Sequence, residues 1–145
     1  MANASNPLHA RTKARRLALQ ALYQWQLTAL DNAELVKQFQ DAEGFSEVDQ
    51  EYFYELLAQT VNHIEKIDQN LTPCLSRSIE VVDPVERAIL RMASYELMYR
   101  LEIPFKVILN EAITLTKKFG AEQAHAFVNG VLDKLAHKVR ASEFS

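Results

Sequence analysis

The chain has 145 residues, of which 48% are hydrophobic and 24% are charged, and it carries a net charge of −3. This length and composition are typical of one globular domain with a sizeable core, and they exclude a largely disordered chain. No apolar run is long enough to cross a bilayer and no secretory signal precedes the body, so we expect a cytoplasmic protein with no membrane partner. The lone Cys74 excludes an internal disulfide and a cysteine-based zinc site.

The small net charge conceals a segregation of charge along the chain. The first thirty residues contain four of the 16 basic side chains and no acidic one, whereas the remaining 115 residues contain 12 basic and 19 acidic side chains. An anionic ligand should therefore bind locally, at the N-terminal segment. The acidic body repels nonspecific duplex, which favours a selective or partner-assisted binder.

The first predicted helix covers residues 10–27 and carries all of this N-terminal positive charge. Alanines and leucines repeat with the helical period along one side, which predicts a core-facing stripe. To the other side we assign the four cations, Arg11, Lys13, Arg15 and Arg16. The amide of Gln20 and the aromatic ring of Tyr23 are assigned to the same side. Cations attract phosphates and an unpaired base can stack on an aromatic ring, so this side is a candidate platform for single-stranded nucleic acid. The alternative is a solvated basic face with the tyrosine lying across its arginines.

The rest of the chain shows helical periodicity without strand-like alternation, which predicts an all-α fold. After the first helix we predict a short helix that ends near Glu43 and one long core helix that runs from about residue 47 to Pro73. Residues 74–82 are less regular and form a short helix or a turn.

Three further helices are predicted, over residues 84–100, 104–119 and about 122–140, and residues 141–145 are expected to be a frayed polar tail. The first of the three begins with an aspartate cap and a proline in the first turn. Its outward face carries Glu86, Arg87 and Arg91. Such a mixture of charges suits either solvent or a protein partner.

Two glutamates, Glu96 and Glu111, lie on the inner sides of neighbouring predicted helices. They could act as a catalytic acid and base or belong to a di-metal site of the bundle type. The di-metal site needs a histidine three residues after a glutamate, and Tyr99 and Thr114 stand there instead. We therefore interpret both as buried structural carboxylates. Since no catalytic, nucleotide or metal motif occurs either, the sequence predicts a protein that is not an enzyme, with no catalytic residue, no metal and no cofactor.

Phe127 does not fit the apolar stripe of the last helix and falls on a polar shoulder with Gln123 and Gly130. A large apolar ring in such surroundings is unfavourable unless something covers it. Phe127 therefore either packs beneath a neighbouring helix or forms a contact surface for a base or a protein partner.

Four segments together resemble the NusB family of transcription antitermination factors, namely QALYQWQL at 20–27, ILRMASYEL at 89–97, IPFKVILNEAITLTKKFG at 103–120 and FVNGVLDKL at 127–135. The resemblance covers nearly the whole chain. It implies an all-α fold of about seven helices in two packed small helical bundles. We expect one RNA-binding domain over residues 1–145, with a basic arm and helix at 1–27, a helical body at 31–140 and the frayed tail.

The resemblance also implies a function. Proteins of this family bind the boxA element of ribosomal RNA leader transcripts together with the ribosomal protein NusE, and the pair joins an antitermination complex on RNA polymerase. For this chain it implies a boxA-binding factor that supports processive transcription of ribosomal RNA.

The family's RNA-binding positions fall on residues already singled out, those of the first helix by the charge pattern and Phe127 by its position off the apolar stripe. Its arginine-rich motif falls on Arg11, Lys13, Arg15 and Arg16, its tyrosine on Tyr23 and its second RNA-contacting aromatic on Phe127. Gln123 stands where relatives often have an acid, which should lessen the repulsion of phosphate. The implied contacts with the ribosomal protein are Glu86 and the adjoining face with Arg87 and Arg91. We expect the first helix and Phe127 to be two parts of one composite site.

Two alternatives remain open at this point. The protein could be an interaction module whose basic helix docks onto an acidic partner. It could also be related to the N-terminal domain of a ribosomal RNA cytosine methyltransferase, without catalysis, because no methyl-donor motif follows.

Overall fold

The computed structural model describes residues 6–144, which contain seven α-helices and no β-strand. The helices are α1 (Pro7–Thr28), α2 (Asn32–Gln40), α3 (Gln50–Asn62), α4 (Ile64–Leu71), α5 (Pro84–Tyr99), α6 (Phe105–Phe119) and α7 (Ala124–Val139). The predicted all-α class is confirmed. None of the described helices is long and apolar enough to cross a membrane.

The chain divides into two compact units, which we call the N-terminal unit (Met1–Asn62) and the C-terminal unit (His63–Ser145). In the N-terminal unit, α1 and α2 both pack on α3. In the C-terminal unit, α5, α6 and α7 pack on one another and α4 packs on α5.

The N-terminal unit is built around aromatic and aliphatic side chains of α3. Phe53, Leu56 and Leu57 are completely buried. Phe45, in the connection between α2 and α3, meets the ring of Phe53 edge to face at a centroid distance of 5.6 Å. This contact anchors the α2–α3 connection, which carries several acidic side chains, to the core of the unit.

The prediction of a single long helix from about residue 47 to Pro73 is wrong. The chain leaves helical geometry at His63, whose φ and ψ are −105° and 19°, and it continues as α4. The His63 ring lies against that of Tyr99, with the centroids 4.3 Å apart. The break falls at the boundary between the N-terminal unit, in which α3 packs, and the C-terminal unit, in which α4 packs. The apolar period continues across the break, so periodicity alone does not reveal it.

Arg140 ties the end of α7 to the end of α5 in the C-terminal unit. Its side chain is buried, with 4% exposure. Its guanidinium donates hydrogen bonds at 2.7–3.2 Å to four carbonyl oxygens, those of Glu96, Leu97, Arg100 and Ile103. These carbonyls lie at the end of α5 and in the following loop, where helical hydrogen-bond partners run out. One cation therefore satisfies the C-terminal end of α5.

The prediction of a frayed tail is wrong for Ala141–Phe144, which form a 3-10 turn, and Ser145 lies outside the described residues. Glu143 pairs with Arg140 and accepts a hydrogen bond from the backbone N–H of Phe105 at 3.2 Å. The Phe144 ring stacks on His137 at a centroid distance of 3.7 Å. A polar composition suggests fraying, but these contacts with α6 and α7 hold the segment in place.

Replacement of Arg140 by alanine should lower the free energy of unfolding by about 3 kcal/mol, because buried carbonyls and a carboxylate lose their cationic donor. Urea denaturation followed by circular dichroism measures the difference. Lys138→Ala, at an exposed position of the same helix, is the control and should stay within about 0.5 kcal/mol of the parent protein. Equal stability of the two variants would contradict this role of Arg140.

Candidate nucleic-acid interface

One face of α1 gathers four of the predicted RNA-binding side chains. We call Lys13, Arg16, Gln20 and Tyr23 the basic stripe. They follow one another at spacings of three, four and three residues, which places them in line along one face of the helix over about 15 Å. Gln20 is exposed and Tyr23 is 37% exposed, whereas Lys13 and Arg16 are half-buried. Since α1 contains no acidic residue, this face combines cations, an amide and an accessible ring.

Arg11 and Arg15 do not belong to the basic stripe. The guanidinium carbons of both lie over the ring of the buried Tyr52 in α3, at 4.1 Å and 5.5 Å from its centroid. Arg15 is only 3% exposed, so its predicted position on the outer side is wrong. It precedes the buried Leu22 by seven residues, a spacing that returns to the same side of a helix, and this spacing already indicates the buried position. Arg11 remains half-buried and keeps part of its surface for a ligand.

Acidic side chains of the α2–α3 connection lie beside the basic stripe. Lys13 Nζ is 2.9 Å from Glu47 Oε1, and the hydrogen bond and charge of Lys13 lower the pKa of Glu47. Lys13 and Arg16 line a surface cleft of about 220 Å³ together with Glu43 and Glu47. A phosphate that binds Lys13 must therefore compete with a carboxylate of the same unit.

In the C-terminal unit, Phe127 is half-buried in the second turn of α7. A loop residue, Arg77, places its guanidinium carbon 4.7 Å from the ring centroid. Gln123 is exposed, has a positive φ of 74° and makes no capping hydrogen bond with its side chain. A Cβ atom at Gly130 would meet nothing within 4 Å, so the surface there is open. Gln123 and Phe127 are thus accessible to a ligand.

Residues 12–137 match the family model that is described as the NusB family. The chain belongs to the NusB family. It is 47% identical over 145 residues to "Transcription antitermination protein NusB" of Alcanivorax borkumensis, with 100% of this chain and 96% of that protein covered. It is 53% identical over 131 residues to the protein of the same name from Pectobacterium carotovorum, with 90% and 94% covered.

Solved structures of NusB proteins have the same fold. The structure of the antitermination factors NusB and NusE in complex with dsRNA matches with a TM-score of 0.79 and 31% identity, over 90% of this chain and 98% of that chain. The structure of T. maritima NusB matches with a TM-score of 0.82 and 27% identity, over 92% and 96%. The resemblance based on four sequence segments is thereby confirmed.

Arg87 and Arg91, which the NusB resemblance implies as contacts for a protein partner, are less accessible to such a partner than the sequence predicts. Arg87 donates hydrogen bonds from Nη1 to the carbonyl oxygens of Ile79 and Glu80, at 3.4 Å and 3.1 Å. Arg91 forms two hydrogen bonds, at 3.0 Å and 2.8 Å, with the carboxylate of Asp68. Both arginines are half-buried, and these intramolecular bonds fix their orientation.

Glu86 is 6% exposed, so its predicted outward position is wrong. Burial raises the pKa of Glu86 and the charge of Asp83 raises it further, whereas the charge of Arg77 and a hydrogen bond from the backbone of Ala121 lower it. The carboxyl group thus joins the start of α5 to the segment between α6 and α7. The N-terminal position of Glu86 in α5 suggests exposure, but the segment that covers it comes from another part of the chain.

Glu96 and Glu111 are the two glutamates predicted to lie on the inner sides of neighbouring helices. Glu96 is buried at 1% exposure, and Glu111 is half-buried. Within residues 6–144 no group of three or more His, Cys, Asp or Glu side chains is arranged to hold a metal ion.

A Glu86→Gln variant should be more stable than the parent protein at neutral pH, since it removes a buried charge and keeps an acceptor for Ala121. The pKa of Glu86 is raised above its ordinary value of 4.5 in the folded state, so the parent protein loses stability as the pH rises through that raised pKa. The advantage of the variant should shrink as the pH falls toward 4.5. Urea unfolding at a series of pH values measures it.

The matched control is Glu65→Gln, which removes an exposed carboxylate of α4. An advantage of Glu86→Gln that does not change with pH, or that Glu65→Gln reproduces, would contradict the burial of a charged Glu86.

Proposed function

We propose that this NusB-family protein is a transcription antitermination factor that binds the boxA element of ribosomal RNA leader transcripts together with the ribosomal protein NusE. In this role it acts in the cytoplasm, joins an antitermination complex on RNA polymerase and supports processive transcription of ribosomal RNA, without a catalytic step. The observation that carries the proposal is the basic stripe of α1. The names of the curated relatives and the solved complex of a relative with NusE and RNA support it.

The basic stripe suits a single strand because it offers two kinds of contact in one line. Lys13 and Arg16 attract phosphates, while the exposed ring of Tyr23 offers a stacking surface to an unpaired base. Gln20, between them, can hydrogen-bond a base edge. The relative's complex contains dsRNA, whose bases are already stacked within the duplex. A contact that depends on the Tyr23 ring therefore distinguishes single-stranded boxA from a duplex.

Few cations of α1 are available to bind phosphate, so we expect a partner protein to contribute to RNA binding. Arg15 is buried, so Arg11, Lys13 and Arg16 remain for phosphates, and Glu47 competes for Lys13. Three phosphate contacts on a single strand give a slope of about −2 for the logarithm of affinity against the logarithm of salt concentration. Affinity of this kind is modest, and NusE would supply additional contacts.

In the C-terminal unit we propose Gln123 and Phe127 as RNA contacts, because both are accessible and Phe127 offers a ring. We propose Arg87 and Arg91 as contacts for NusE. Glu86 would support the contact with NusE mainly by holding the start of α5 to the segment before α7.

Tyr23→Ala should weaken binding to boxA RNA about tenfold, because a stacking ring is lost. Arg16→Ala should weaken binding and reduce the magnitude of the salt slope by about 0.7, the value for one phosphate contact. Titrations of labelled boxA RNA at several salt concentrations, with and without NusE, measure both effects.

Lys37→Ala, which removes an exposed cation from α2 of the same unit, is the control for charge, and circular dichroism checks that helicity is unchanged. Undiminished affinity in both test variants would remove the basic stripe from the RNA site. If the parent protein with NusE shows no salt-sensitive binding of RNA, the chain acts as a protein-interaction module instead.

Glu47→Gln should strengthen RNA binding, because Lys13 is then released from an intramolecular carboxylate. The same titration compares it with Glu34→Gln, which makes the same change of charge at an exposed position of α2. The gain at Glu47 should exceed the gain at Glu34, and it should disappear when Lys13 is also replaced by alanine. Equal gains at the two positions would show that only the net charge matters.

A further inference from the structure

Arg77 is an exposed residue of the loop between α4 and α5, and its guanidinium lies over the ring of Phe127. Its guanidinium carbon is 4.7 Å from the ring centroid, within the range of a cation–π contact. Because Phe127 is only half-buried, this contact forms at the surface of the C-terminal unit. A ligand that approaches Phe127 therefore meets Arg77 as well.

The N–H donors of Arg77 differ from those of its neighbours. Arg87, Arg91 and Arg140 all donate to carbonyl or carboxylate oxygens of the C-terminal unit. Within residues 6–144 the guanidinium of Arg77 has no hydrogen-bond acceptor, and its partners are the Phe127 ring and, by charge, Glu86. The ring thus holds a planar cation at the surface while its donors remain available.

We propose that Arg77 is a further RNA-binding residue, and that Arg77 and Phe127 act together as one stacking platform, a proposal that rests on the proposed function. Bases of single-stranded RNA stack on guanidinium planes as well as on aromatic rings. The guanidinium edge also matches the geometry of a phosphate, with which it forms two parallel hydrogen bonds. Arg77 therefore provides a stacking plane and a phosphate contact, whereas Phe127 orients it.

The surroundings of this platform suit an anionic strand. The N-terminus of α7 lies one turn before Phe127, and the first turn of this helix contains no acidic residue. Helix N-termini attract phosphate through the helix dipole, and here the dipole is the main contribution because the N–H groups of Ala124 and Ala126 already donate to the carbonyl oxygens of Ala121 and Gln123. Gln123, the residue before α7, has a side chain that is exposed and not used as a cap, so it can bond a base edge beside the platform.

The experiment is a titration of boxA RNA with the full chain at several salt concentrations, in the presence of NusE. Arg77→Gln should weaken binding about tenfold and reduce the magnitude of the salt slope by about 0.7, because it removes the stacking plane and one phosphate contact. Arg77→Lys should keep the slope but recover only part of the affinity, because lysine has the charge without the plane. Lys66→Gln, at an exposed position of α4, is the control for charge and should bind as the parent protein does.

A double-mutant cycle tests whether the two residues act together. Phe127→Leu should weaken binding by itself, and the double variant Arg77→Gln with Phe127→Leu should lose less than the product of the two single losses, because the residues share one contact. Thermal unfolding of each variant separates a loss of binding from a loss of fold. Losses that multiply would show that Arg77 does not act through Phe127 and would overturn the platform.

The results of these titrations distinguish a failure of the inference about Arg77 from a failure of the proposed function. If the parent protein binds boxA RNA and Arg77→Gln binds with the same affinity and salt slope, Arg77 is not an RNA contact and the proposed function still stands. If Arg77→Gln weakens the binding of NusE in the absence of RNA, Arg77 is a protein contact and the inference is wrong. If the parent protein with NusE does not bind RNA, the inference and the proposed function both fail.

Discussion

The packing of α1 on α3 is the constraint on which the candidate interface depends, because one helix must supply both a core face and a ligand face. Alanines and leucines bury one side, and the contacts of Arg11 and Arg15 with the Tyr52 ring fix the rotation of α1 on that side. A guanidinium is attracted to the face of an aromatic ring within about 6 Å of its centroid. With the rotation fixed, Lys13, Arg16, Gln20 and Tyr23 must face outward together. Arg15 thus supports the interface from within the core, whereas Arg11 supports it and also keeps an accessible surface.

Three arginines of the C-terminal unit, Arg77, Arg91 and Arg140, differ in what accepts their N–H donors. In the C-terminal unit, Arg140 is buried and its donors are used by carbonyl oxygens at the end of α5. Arg91 likewise donates its N–H groups to the carboxylate of Asp68. Arg77 lies over the Phe127 ring and interacts by charge with Glu86, and neither interaction uses its N–H donors in a hydrogen bond. Burial and hydrogen-bond partners, rather than charge alone, therefore decide which cation is structural and which is available to a ligand.

Acidic side chains next to the cations bear on the proposed RNA binding, because they compete with phosphate for the same cations. Glu47 holds Lys13 in an ion pair, and Glu43 lines the same cleft. Such a pair at the surface is easily exchanged for a stronger anion. The protein can therefore exchange an internal carboxylate for a phosphate, but only with a reduced gain. This arrangement agrees with the proposed dependence on NusE for tight and selective binding of RNA.

The sequence by itself determined the all-α class, the family and the position of the basic helix, because helical period, capping residues and charge segregation are local properties of the chain. The spacing of Lys13, Arg16, Gln20 and Tyr23 was visible in it as well. Only the tertiary structure decided that α3 and α4 are separate helices, that Ala141–Phe144 is ordered and that Glu86 is buried. Each of these depends on residues distant in the sequence. Burial and pairing arise when separate segments meet, and a local pattern cannot show which segments those are.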